Sequence, residues 1–374
     1  MVKIRSLHGH ISFAVQKFHN KFSEQYKSYF DYTEQFEADY ISERLKEYSC
    51  WLACSNSYSR AEDILYRHTG KQLISDQKIE QIVISKAKEI SQKEALLNAE
   101  QQTNTMKIKV QNTVDLYNKE EKEILLFEDG ILVKGQKSKR DTEKTNLERM
   151  ETKRVWHQTD ACMLECEDGT YRYIIDGLDS DVQPAQSFVN NVKRTINEEY
   201  GNLKEPLKIV SITDGAKTIR KDMLLIFGIV IVIILDWYHL RKKVKELMSM
   251  IARNKEEKQK HINYIRKHCW EGEVDKAIVY LKTEVKAKNE LKLNELIGYL
   301  EKHKSEIINY KKRKQCGKRI GSGRMECGVN QVVGIRQKNK GMSWSKKGSK
   351  ALAILKVQQL NNKWDELWSF RMAA

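Results

Sequence analysis

A thirteen-residue apolar run, Met223–Leu235 (MLLIFGIVIVIIL), is the feature that most constrains how this chain can fold. A membrane-spanning helix needs about 20 apolar residues, so the run is too short to cross a bilayer. Gly228 divides it into a leucine-rich half and a β-branched half, which predicts a helix, a turn and then a buried central strand. We therefore expect a chain without a membrane span.

The region around this run has the apolar periodicity of short strands. A helix is predicted over Pro184–Tyr200, and a second one over Ala216–Phe227. Several strands followed by alternating helices and strands form a mixed sheet with helices packed on it, so the fold class is α/β. The predicted strands are Ile124–Glu128, Ile131–Lys134, Val155–Glu165, Tyr171–Ile175, Leu207–Thr213 and Ile229–Leu235.

The N-terminal region, from Gln16 to about Ala99, is charged, aromatic and helical in character. Ser59 is the predicted N-cap of one helix, Gly70 ends that helix, and Ser75 or Asp76 caps the next. The pair is compatible with a helix-turn-helix, although a plain helical bundle has the same caps. As a recognition helix, the second one would offer Gln77, Lys78 and Gln81 to a DNA groove.

Charge points to a polyanionic partner. The chain has 67 Lys and Arg against 51 Asp and Glu, a formal net charge of +16. Basic residues are concentrated in the segment Lys311–Lys350, where Glu326 is the single acid, and such a segment favours phosphate binding over a merely solvated basic face. The predicted DNA-contacting residues are Lys318, Arg319, Arg324, Arg336, Lys338 and Lys340, with Trp344 as a stacking surface.

Three acids stand where carboxylates can meet. Asp214 ends an apolar strand (IVSITDGAK), Asp129 follows the apolar run ILLFE, and Glu326 lies on a short helix opened by GSGRM. Carboxylates at the ends of neighbouring strands, with a third on a helix, can hold two hard cations such as Mg²⁺.

Each acid also has a simpler interpretation. On spacing alone, Asp129-Gly130 is better explained as a hairpin turn, and Asp168 and Asp176 have the same claim to a turn. Asp214 can cap the following helix. Glu326 can form an ordinary ion pair with Arg324 or Lys318. Pattern alone therefore leaves the catalytic interpretation open.

Four runs distinguish these alternatives by resemblance: LFEDGILVKGQKSKR, SITDGAKTIRKDMLLIFG, IILDWYHLRKKVKELMSMIA and GSGRMECGVNQVVGIRQKNKGMSWSKKGSKALAILK. In this order they resemble bacterial insertion-sequence transposases of the ISKra group, relatives of the Mutator-like DDE transposases. The resemblance implies an RNase H-like core with a helical insertion and a catalytic, metal-binding triad of Asp129, Asp214 and Glu326. It also implies two Mg²⁺ ions, for which Mn²⁺ can substitute. Asp236 and His239 match an accessory D-x-x-H signature, whereas Cys327 departs from the pattern after the glutamate.

The expected organisation is a helical, DNA-binding region at 1–118 and a catalytic core at 119–240. A helical insertion at 241–310 and the basic C-terminal part of the core at 311–374 would follow. Seven cysteines without a disulfide or zinc pattern indicate a reducing compartment, so we expect a cytoplasmic, nucleoid-associated bacterial protein. Cys50, Cys54, Cys162 and Cys166 are expected to be small buried hydrophobic residues.

The expected function is transposition: cleavage at the ends of an insertion sequence and joining of the 3′-hydroxyls to target DNA. The partners would be double-stranded DNA, at terminal inverted repeats and at the target, and further copies of the chain, with no membrane and no small-molecule substrate. A DNA-binding protein with an inactive core and a structure-specific nuclease are the alternatives.

Overall fold

The computed structural model of this chain describes residues 2–19, 21–22, 25–28, 40–103, 109–111, 113–136, 155–166, 168–178, 184–203, 205–227, 231–339 and 341–368. It begins with strands rather than helices. The strands β1 (Val2–Ser6) and β2 (Gly9–Phe13) are antiparallel, β5 (Tyr40–Ile41) pairs in parallel with β1, and β3 (Lys17–His19) pairs with β4 (Tyr26–Ser28). The predicted helical character is therefore wrong for the described residues between 16 and 42, where aromatic residues favour extended structure.

The predicted helix pair is present. Its helices are α2 (Tyr58–Thr69) and α3 (Asp76–Thr103), preceded by α1 (Glu43–Ala53). Ser57, and not Ser59, caps α2 by accepting a hydrogen bond from Arg60 N. Gly70 ends α2 in the left-handed conformation, and Ser75 Oγ accepts from Lys78 N at the start of α3, as predicted.

A five-stranded mixed sheet forms the centre of the protein, in the order β10-β9-β6-β7-β8. The central strand β6 runs parallel to β9, β10 and β8, and β7 is the one strand of this sheet that runs in the opposite direction. The mixed α/β prediction is therefore confirmed. The strands are β6 (Ile124–Lys134), β7 (Trp156–Glu165), β8 (Tyr171–Ile175), β9 (Ile209–Thr213) and β10 (Val232–Leu235).

Two strands differ from the prediction. β6 is continuous through Asp129-Gly130, and Gly130 pairs with Asp160, so the interpretation of this dipeptide as a hairpin turn is wrong. β10 lies at the edge of the sheet and not at its centre. Its edge is covered, because Glu306 O accepts from Leu235 N, and this cover explains why an edge strand is apolar.

Helices cover both faces of the sheet. α4 (Pro184–Tyr200), with the predicted bounds, and α5 (Lys217–Phe227) pack on the face of Ile124 and Leu126. The other face packs against the C-terminal helices. These are α11 (Gly323–Val329), a π-helical turn at Asn330–Gly334, α12 (Ile335–Gln337), α13 (Lys346–Leu360) and α14 (Trp364–Leu367).

A helical block connects β10 to these C-terminal helices, as predicted. Its helices are α6 (Trp237–Ile251), α7 (Lys255–Trp270), α8 (Val274–Thr283), α9 (Glu290–Lys302) and α10 (Tyr310–Gln315). As expected, four cysteines are buried and form no disulfide bond: Cys50, Cys54, Cys162 and Cys166. Within the described ranges, we find no helix with the length and apolar character that crossing a membrane requires.

Candidate active site

The register of the sheet brings the first two predicted acids together. Phe127 of β6 is paired in parallel with Ile212 of β9, so Asp129 and Asp214 each follow a paired residue by two positions. Strand side chains alternate, and Asp129 therefore lies on the same face as Phe127. Burial raises the pKa of Asp129, and the negative charges of Asp214 and Glu326 raise it further, although His239 opposes them. The charges of Asp214, His239 and Glu326 thus all act on Asp129.

A tight loop presents Asp214. Its Oδ1 accepts a hydrogen bond from Ala216 N at 2.8 Å, so the carboxylate also caps the turn into α5. Gly215 has φ +87°, and a Cβ at this position would lie 2.6 Å from Cε1 of the buried His303. Only glycine accommodates both the backbone conformation and this close approach.

Glu326 reaches the same region from α11, which packs on β6 and β7. A Cβ on Gly328 would lie 2.9 Å from the Tyr173 ring and 3.0 Å from Met163 Sδ, so glycine permits the close approach of α11 to the sheet. His239 Nε2 lies 3.4 Å from Glu326 Oε1, and the Glu326 side chain is 65% exposed. His239 is therefore in direct contact with Glu326.

Asp236 has a structural role instead. It is 1% exposed, and its Oδ1 accepts from Tyr238 N at 2.5 Å and from His239 N at 2.9 Å, which caps α6. Its Oδ2 accepts from the backbone N–H of Ser322 and, at 2.6 Å, from the Ser322 hydroxyl. With both oxygens occupied, Asp236 is no candidate metal ligand. It holds together the helix of His239 and the loop before Glu326.

Metal-binding geometry is not formed by these acids. Among the residues that the structure describes, no group of three or more His, Cys, Asp or Glu side chains is placed to hold a metal ion. The chemistry of the donors nevertheless fits a hard cation, because Asp129, Asp214 and Glu326 supply only carboxylate oxygens. The repulsion that raises the pKa of Asp129 is what a bound cation would relieve.

The other acids near turns have ordinary roles. Asp168 Oδ1 accepts from Thr170 N at 2.8 Å in an exposed turn, and Asp176 forms an ion pair with Lys350. Neither belongs to the group of Asp129.

Two features of the site were missed by sequence reasoning. On the opposite face of β6, the buried Glu128 interacts with Asp222 of α5, and burial followed by the charge of Asp222 raises its pKa. The sequence FEDG, with two adjacent acids in an apolar strand, could have indicated that one of them is buried. Beside Gly215, the fully buried His303 contacts Glu306, with Nδ1 2.6 Å from Oε2. Arg220 lies within hydrogen-bond distance of His303 Nδ1 and forms an ion pair with Glu306. This network has no local sequence signal, because Arg220 and His303 are far apart in the chain.

Several predicted DNA-contacting residues are occupied within the protein. Arg336 is 4% exposed, donates to Ala53 O at 2.9 Å and stacks on Trp344, itself 8% exposed. Both predictions are therefore wrong, since buried side chains cannot reach DNA. Lys318 pairs with Glu123 at 3.0 Å, its side chain 8% exposed, which removes it from the set. Arg319 pairs with Glu165 but stays partly exposed.

Other members of the predicted set remain at the surface. Arg324 is exposed, 5.5 Å from the centre of the Tyr171 ring, and Lys338 is exposed beyond α12. Gln77 and Gln81 of α3 are exposed and Lys78 is partly buried, while Lys340 lies outside the described residues. Of the predicted basic set, Arg324 and Lys338 thus remain exposed, and Arg319 remains partly exposed.

Residues 2–366 match the profile of Uncharacterised protein family (UPF0236). No curated protein matches the chain.

Proposed function

This chain belongs to the uncharacterised family UPF0236, and from its candidate site we propose that it is a transposase that cleaves and joins DNA ends. The family is associated with transposase-like proteins, which agrees with this proposal. The assignment to the ISKra group is part of the proposal and rests on the sequence resemblance.

One observation carries the proposal. Asp129 lies on the central strand, Asp214 follows the adjacent parallel strand and Glu326 lies on a helix that packs on that sheet. Burial and then the charges of Asp214 and Glu326 raise the pKa of Asp129. The strand order β10-β9-β6-β7-β8, in which β7 alone runs opposite to the other four strands of this sheet, agrees with an RNase H-like core. Acids whose charges raise the pKa of a partly buried neighbour, as here at Asp129, are typical of functional sites.

The proposed chemistry is in-line phosphoryl transfer. Bound Mg²⁺, held by Asp129, Asp214 and Glu326, would activate the attacking oxygen and stabilise the leaving oxygen. His239 orients the exposed Glu326 carboxylate, and the Asp236–Ser322 contact fixes their spacing. Arg324 and Lys338 would contact the phosphates of the DNA.

The test is cleavage and joining of DNA that carries the ends of the element. We expect Asp214→Asn to lower the cleavage rate by about 1000-fold while the protein still binds DNA, since carboxylate loss removes a cation ligand. Asp168→Asn, in an exposed turn, is the matched control and should cleave normally. An unchanged rate for Asp214→Asn would overturn the catalytic assignment.

A DNA-binding protein with an inactive core is the second candidate. The observation in its favour is that no metal-holding group is formed among the described acids. Wild-type protein that binds the ends but leaves them uncut in Mg²⁺ and in Mn²⁺ would establish this alternative. Cleavage without joining to a target plasmid would instead identify a nuclease.

A further inference from the structure

A pocket of about 480 Å³ is lined by residues of α6 and α7. Its lining residues are Trp237, Asn263, Arg266, Lys267 and Trp270, which include two aromatic rings and two cations but no acid.

One wall of the pocket is aromatic. The centroids of the Trp237 and Trp270 rings are 4.8 Å apart, and Tyr310 lies 5.0 Å from Trp237 and 6.2 Å from Trp270. Trp270 and Tyr310 are nearly parallel, at 14°. Trp237 is 6% exposed, so the cluster is rigidly held, whereas Trp270 is only partly buried and offers its surface to the pocket. A planar ring can stack here.

Arg266 and Lys267 bring positive charge to the same pocket, and no acid is among its lining residues. Arg266 Nε is buried and has no hydrogen-bond partner among the described residues. Burial lowers the pKa of Arg266, and the charge of Arg241 lowers it further. Lys314 Nζ lies 6.0 Å above the Trp270 ring. An anion between these groups would supply the missing partner.

A flat π-system and an anion, held side by side, are the two parts of a nucleotide. We propose that this pocket binds an unpaired nucleotide of a DNA strand, with the base against Trp270 and the phosphate at Arg266 and Lys267. The inference rests on the proposed action on DNA and adds a subsite to it. Trp237 directly follows Asp236, and α6 also carries His239, so the pocket would hold displaced strand close to the acids.

The test compares two fluorescent duplexes of equal length, one blunt and one with a five-nucleotide dT tail, bound to the full-length protein. Stacking of a base on an aromatic residue justifies an expected preference of about tenfold for the tailed duplex. Trp270→Leu should abolish this preference and Trp270→Phe should keep most of it. Arg266→Gln with Lys267→Gln should reduce it, whereas Lys260→Gln, an exposed position on the same helix, should not.

A second measurement covers the case in which the Trp270 variants fail to fold. A tail that contains 5-bromodeoxyuridine is irradiated on wild-type protein, and we expect the cross-link to map to the peptide around Trp270. Equal binding of the two duplexes, or a cross-link elsewhere, would overturn the inference even for a protein that cleaves and joins DNA. Conversely, a tail preference in a protein that never cleaves leaves the pocket assignment intact and removes the proposed function.

Discussion

Gly215 determines how closely the loop of Asp214 approaches the buried His303. We expect Gly215→Ala to destabilise the protein by about 1–3 kcal/mol, because alanine is strained at φ +87° and its Cβ would meet the His303 ring. The cleavage rate should fall as well, since Asp214 would be displaced. Thermal unfolding and end cleavage measure the two effects.

Gly298 is the matched control for this substitution. It lies in α9 with open space around its Cβ position, so Gly298→Ala should leave stability unchanged or raise it by up to about 1 kcal/mol. Equal effects of the two substitutions would contradict the role given to the contact between Gly215 and His303.

Glu128 gives a pH dependence with a definite sign. Burial and the charge of Asp222 raise its pKa to about 9, so the folded state binds a proton more tightly than the unfolded chain. Stability should therefore fall as the pH rises from about 4.5 towards 9. Glu128→Gln, which stays neutral, should remove this decline and stabilise the protein by on the order of 1–3 kcal/mol at pH 8.

Chemical denaturation at pH 6 and pH 8 tests this expectation. The matched control is Glu246→Gln, because Glu246 is exposed on α6. A benefit of Glu128→Gln that does not grow with pH would contradict the proposed burial of a protonated carboxyl group.

At the scale of elements, Asp236 joins the start of α6 to the loop before α11. Asp236→Ala should cost about 2–4 kcal/mol, since it removes a helix cap and leaves the N–H and hydroxyl of Ser322 without their acceptor. Asp236→Asn should cost less, because asparagine caps helices equally well. Asn254→Ala, at the exposed cap of α7, provides the ordinary cost of about 1 kcal/mol for comparison in urea unfolding.

Elements with clear boundary signals could be predicted from the sequence. α4 begins at Pro184 and β8 follows the turn at Asp168-Gly169, and both have the predicted bounds. The sequence predicts two strands in place of the continuous β6, because an Asp-Gly dipeptide is compatible both with a turn and with the interior of a strand. The edge position of β10 could not be predicted, because the partner of its outer edge, Glu306 O, which accepts from Leu235 N, is distant in the sequence.

The candidate site was predictable only through its motifs. The resemblance implied Asp129, Asp214 and Glu326, and their catalytic and metal-binding roles stay predictions. Partners for the charge run were not predictable, because the acids that neutralise Lys318 and Arg319 are Glu123 and Glu165, far away in the chain. Composition records the number of charges and not their pairing.

At the scale of the whole molecule, the net charge of +16 overstates the surface available to DNA. Arg324→Gln with Lys338→Gln should reduce the slope of log binding constant against log salt by about 2, since each phosphate contact contributes about 0.9. Arg336→Gln should leave the slope unchanged and lower stability, because its guanidinium is buried. Titrations of labelled duplex at several salt concentrations measure the slope, and a change for Arg336→Gln alone would contradict this division.

The two adjacent carboxylates of β6 point to opposite faces of the sheet, which makes the strand unequally tolerant of changes in length. Inserting one residue ahead of Glu128 would shift Glu128 into the place of Asp129, so the active face would retain an acid that is one methylene longer. Removing one residue there would bring Gly130 to that place and leave the face without a carboxylate. Either change would also turn the buried Ile131 and Val133 to the opposite face, so both should lower stability, and the loss would in addition remove the carboxylate.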